Sequence, residues 1–76
     1  LITNRLFNLK RSINMNKNKS NNLIIRVKKE LIKKFDIKID YLECRNLDNL
    51  GTNLYNKRYK LFVAYHLKNV RLIDNF

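Results

Sequence analysis

The residues able to do chemistry in this chain are few and scattered. His66 is the single histidine and Cys44 the single cysteine, so four structural metal ligands, an intramolecular disulfide and a local Cys–His pair are all excluded. His66 falls in the middle of an apolar run with no Ser, Cys or second His nearby, which favours a structural or solvent-facing imidazole over a general base. Cys44 alternates with Leu42, the setting of a buried and inert thiol. Asp36 and Asp40 flank the start of a strand and Asp74 stands alone near the end, so no carboxylate pair is placed for acid–base work. No catalytic, cofactor-binding or metal-ligating residue is assigned within residues 1–76.

The remaining chemistry is electrostatic. Lys and Arg number 17 against 6 Asp and Glu, a formal charge of +11. Lys10, Arg11, Lys17, Lys19, Arg26, Lys28, Lys29, Lys33 and Lys34 could line one side, with Tyr41, Tyr55, Tyr59 and Tyr65 as stacking surfaces. A small basic RNA-binding or ribosome-associated protein is therefore the alternative reading. It stays second, because no nucleic-acid signature accompanies the charge and the chain holds 13 Asn and 11 Lys, residues of A/T-rich codons. A solvated basic face explains the same composition. The sequon Asn18-Lys19-Ser20 is read as an accident of this Asn- and Lys-rich tract.

The elements that position these residues follow from periodicity. Ile2, Leu6, Leu9 and Ile13 recur at helical spacing, and Ile24, Val27, Leu31 and Phe35 form the stripe of a second helix whose other side carries Arg26, Lys29, Glu30 and Lys33. On that helix Glu30 is expected to face Arg26 and Lys33 or Lys34. Residues 14–22 read as an exposed loop, with Ser20, Asn21 and Asn22 as candidate caps. After Asp36 the period falls to two. Residues 38–45 read as a strand apolar on both faces toward its end, suited to a central or semi-central place in a sheet. Leu47, Leu50, Leu54 and Tyr55 are expected to anchor the loop that runs to Lys57. Tyr59–Leu67 reads as the best-buried strand, and Lys68-Asn69 as a two-residue hairpin loop into 70–74, with Asn69 able to take a positive φ. The sum is one small α+β domain over 1–76, with two helices packed on an antiparallel sheet that ends in a hairpin.

Three blocks in order carry a resemblance: Ile39-Asp40-Tyr41-Leu42-Glu43-Cys44-Arg45-Asn46, Leu61-Phe62-Val63-Ala64-Tyr65-His66-Leu67 and Val70-Arg71-Leu72-Ile73-Asp74-Asn75. Together they resemble the carboxy-terminal end of pantothenate synthetase, the pantoate–β-alanine ligase, with Arg71-Leu72-Ile73-Asp74-Asn75 as the most specific match. The resemblance is specific over residues 30–75 and only compatible in pattern over 1–29. Lys68 stands where the family usually has Gly, and the connection from Asn14 to Asn22 is longer and richer in Asn than the family suggests.

The resemblance implies an ATP- and Mg²⁺-dependent ligase that makes pantothenate from pantoate and β-alanine through a pantoyl-adenylate. In that family the nucleotide chemistry sits in an amino-terminal Rossmann-like domain with a His-x-Gly-His motif, and a Met-Ser-Ser-Arg-Asn motif lies at the domain junction. Neither motif occurs here, so no site residue is carried over. What it implies for this chain is the small lid domain, inactive alone, with Arg71 and Asp74 as structural residues around the last strand. The partners implied are the amino-terminal domain and, for the whole enzyme, pantoate and β-alanine. A chain opening on Leu1 fits the tail of something longer, and a biosynthetic ligase implies the cytoplasm. Without the partner domain, the first helix is expected to fray.

Overall fold

The computed structural model describes residues 1–55 and 57–76; Asn56, in the loop expected to run to Lys57, lies outside the described residues. Helix α1 (Ile2–Met15) leads through one 3-10 turn (Lys17–Lys19) into α2 (Ser20–Phe35). Strands β1 (Lys38–Asn46), β2 (Tyr59–Leu67) and β3 (Val70–Asn75) follow and pair antiparallel in the order β1-β2-β3. The α+β class and the carboxy-terminal hairpin are thus as the periodicity implies.

One core joins both layers. Leu6, Leu9 and Ile13 of α1 and Val27 and Leu31 of α2 are buried against Leu42, Cys44, Leu61 and Val63 of the sheet. Burial of each such aliphatic side chain contributes about 1.5–3 kcal/mol of transfer free energy. The expected helical stripes are those that face the sheet. Helix α1 is an integral part of this core and not a loose appendage: Lys10 Nζ donates to the backbone oxygens of Tyr59 (3.4 Å) and Phe76 (3.1 Å). The Phe7 and Phe76 rings also meet edge to face, 4.9 Å between centres.

Several local expectations are corrected. Residues 14–22 do not form a loop. Helix α1 runs to Met15, only Asn16 (φ −153°, ψ 75°) breaks the path, and Ser20 already lies in α2, with no side-chain cap at its start. The tract contains no Gly or Pro, so nothing stops the helices from growing toward each other until Asn16 alone makes the bend. At the other end α2 stops because Asp36 adopts φ 51°, where its N–H closes on Ile32 O. Glu30 has Lys34 of its own helix near enough to act on its carboxylate, as expected, but the two hydrogen bonds it accepts come from Arg5 of α1, at 2.6 and 3.2 Å.

The first strand is an edge strand, not a central one. Ile39 lies opposite Tyr65 and Tyr41 opposite Ala64, so Asp40 is one extra residue in β1. That β-bulge shifts the alternation, placing Ile39 on the inner face before it and Leu42 and Cys44 on the same face after it. The change of parity in the sequence is therefore a bulge and not a second apolar face. In the loop, Leu54 is buried as expected, whereas Leu47, Leu50 and Tyr55 are exposed.

The hairpin forms, but its positive φ falls on Lys68 (57°) and not on Asn69. Strand β3 is exposed along its whole length.

Candidate functional site

The bulge makes the densest polar cluster on the sheet. Asp40 projects from β1 beside His66 of β2 and Arg71 of β3, which are themselves cross-strand partners. Arg71 Nε donates to Asp40 Oδ2 at 2.9 Å, and His66 Nε2 lies 3.0 Å from the same oxygen. One carboxylate therefore ties all three strands together. The Arg71 hydrogen bond first, and the His66 one second, hold the Asp40 carboxyl below the usual carboxylate range. Each of the three sequence blocks that carry the family resemblance supplies one member of this cluster.

Arg71 thus acts across the sheet and does not pair with Asp74, whose Oδ1 accepts from the neighbouring Asn75 N–H at 2.8 Å. His66 has a structural partner, with no nucleophile beside it. Cys44 is buried on the inner face, and burial pushes its thiol up to about 11, with Lys10 opposing in smaller part. At neutral pH it is a thiol, not a nucleophile.

Of the candidate nucleic-acid residues, Lys10, Lys17 and Tyr59 are brought together and the others are spread over the fold. Tyr41 lies on the outer face, where it shares a recess of about 270 Å³ with Phe62, Leu50 and the Glu43–Arg45 ion pair. Tyr65 packs against the core, Tyr55 is exposed in the loop, and Tyr59 sits beneath two lysines. Lys10 Nζ and Lys17 Nζ stand 4.7 and 5.4 Å from the Tyr59 ring centre, while its hydroxyl donates to Asn14 Oδ1. Burial pushes the Tyr59 hydroxyl up. Tyr59 and Tyr65 both pack toward the core from β2, Tyr41 lies on the opposite face and Tyr55 in the loop, so the four form no common stacking surface, and the basic side chains divide between α1, the 3-10 turn and α2.

Asn46, the last of β1, is read from the sequence only as turn punctuation together with Asp48, Asn49 and Gly51, and the structure makes it the organiser of the loop. It is 1% exposed, and its Oδ1 accepts from the N–H groups of Asp48 (3.1 Å) and Asn49 (3.0 Å) while its Nδ2 donates to Asn53 O (2.9 Å). Its own backbone groups bond to Gly51 O and Leu50 N. The signal was present: an Asn at a strand end before Asp48, Asn49 and Gly51 is an Asx-turn starter.

Among the described residues no three His, Cys, Asp or Glu side chains cluster closely enough for a metal ion. Asp40 is already engaged twice, and an added Cβ at Gly51 would lie 2.8 Å from Asn49 Oδ1, a contact within a turn and not a phosphate cradle.

The protein defined by these features is a small α+β domain with helices on one face of a three-stranded antiparallel sheet and a three-strand polar clamp on the other. A family model described as pantoate-beta-alanine ligase matches residues 2–76, and the chain belongs to that family. The match extends the likeness from residues 30–75 through both helices. No curated protein and no solved structure matches the chain.

Proposed function

We propose that this chain is the carboxy-terminal, closing part of a pantoate–β-alanine ligase, acting in the cytoplasm with an amino-terminal nucleotide-binding part. The observation that carries the reading is the family match over residues 2–76. The fold supports it, because the three blocks of resemblance are the three strands of one sheet. ATP, Mg²⁺, pantoate and β-alanine are bound by the amino-terminal part. This chain closes over the activated acyl group and keeps water from it until the amine attacks. Its own side chains hold a rigid cover: the Asp40 clamp fixes the sheet, and Arg5–Glu30 joins the helices behind it.

The test is reconstitution. The chain would be co-expressed with the nucleotide-binding part of a family member, and AMP and pantothenate followed in the presence of all substrates. The pair is expected to form pantothenate, the chain alone to form none. Turnover by the chain alone, or a pair no more productive than the amino-terminal part by itself, overturns the reading.

A further inference from the structure

The free edge of β1 runs beside α2, and its backbone phase can be fixed. Leu47 N–H donates to Arg58 O, and these two continue the register in which Asn46 faces Tyr59. By the alternation of an antiparallel ladder, the backbone groups of Tyr41, Glu43 and Arg45 point toward β2, and those of Leu42, Cys44 and Asn46 point away. Asn46 has its outward pair closed by Gly51 and Leu50. The outward N–H and C=O of Leu42 and Cys44 have no backbone partner among the described residues. Such a row of outward groups on an edge strand is a template for a further strand.

Against this edge lies a recess of about 270 Å³, lined by Asn21, Ile24 and Ile25 of α2, by Leu42, Cys44 and the mutually paired Glu43 and Arg45 of β1, and by Thr52. Ile25 is 54% exposed on the rim. Beyond it α2 carries Arg26, Lys28, Lys29 and Lys33, none of which forms an ion pair among the described residues. The one acid of α2, Glu30, is already engaged by Arg5.

We propose that the channel between β1 and α2 takes up an extended acidic segment of another protein as a fourth strand. Backbone donors and acceptors at alternate residues are matched by another strand, and the apolar recess takes one side chain of that strand. The cations of α2 select acidic residues on either side of it. A nucleic acid would find an aliphatic recess without an aromatic platform, and a second copy would bring a further +11 against the same cations.

The probe is a short acetylated peptide alternating Glu and Val, titrated into the isotope-labelled protein at about 0.15 M salt, where exposed long-range attraction is screened. Amide signals of Leu42, Glu43 and Cys44 are expected to shift, with slowed exchange at Leu42 and Cys44. A matched Lys–Val peptide is expected to give no response. Ile25→Glu, an exposed substitution that leaves the core intact, is expected to weaken binding about ten-fold by adding a like charge at the rim. Equal binding of the Lys–Val peptide, a response confined to β3, or undiminished affinity in folded Ile25→Glu overturns the proposal.

Discussion

At the scale of single residues, Asn46 organises a loop that has little core of its own. Among the described residues between β1 and β2 only Leu54 reaches the interior, so the hydrogen bonds of one buried amide set the turn. Asn46→Ala leaves Asn53 O and two N–H groups to find other partners, and is expected to cost about 1–3 kcal/mol, read as a lower urea midpoint at unchanged slope. Lys68 is the opposite case, a residue in a backbone state that disfavours it. Left-handed φ costs an L-residue about 1–2 kcal/mol, partly offset by the lower unfolded-state entropy of Lys relative to Gly. Lys68→Gly is therefore expected to stabilise the protein by about 0.5–1 kcal/mol in the same measurement. The turn was legible at residue scale. Its φ assignment was not, because Asn69 is by residue type the better host while the loop takes its positive φ at Lys68.

At the scale of elements, the Asp40 bulge joins register to electrostatics. The Asp40 carboxyl is lowered by Arg71 and His66, so its contribution to stability is fully present above the ordinary carboxylate value of about 3.9 and is lost as pH falls through the lowered one. Asp40→Asn is expected to melt lower than the wild type at pH 7. The gap should close below about pH 4, and a gap that persisted to pH 2 would exclude the ion pairs as its cause. Helix α1 gives a second expectation at this scale. Leu9 is buried in the common core, so Leu9→Ala should cost about 2–5 kcal/mol in urea unfolding. The same burial predicts that amide exchange in the middle of α1 is as slow as in β2, where a frayed helix would exchange at the solvent rate. Both helical stripes were legible because each covers only one layer. The strand order was not, since a bulge and a doubly buried strand give the same alternation.

At the scale of the whole molecule, the charge of +11 meets only five ion pairs among the described residues, all at the surface. Surface pairs of this kind contribute little, while the excess of positive charge repels itself throughout the domain. Raising NaCl from about 0.05 to about 0.5 M is therefore expected to raise the melting temperature through screening. A fall would show that the ion pairs outweigh the repulsion. Helix α2 holds +4 of that excess, five cations against the single acid Glu30, and a partner of opposite charge can meet it there. No helix among the described residues is long and apolar enough to cross a membrane.

The sequence by itself determined the number and kind of elements, the inner faces of the two helices and the family, because apolar spacing and contiguous motifs are local properties of the chain. Only the tertiary structure decided that Glu30 answers Arg5, that Arg71 answers Asp40, that β1 lies at an edge, and that the tyrosines part company. Each of these depends on residues far apart in sequence meeting across a bulge, a helix crossing or a loop. Periodicity cannot see such meetings, because it carries the direction of a side chain but not the identity of what lies opposite.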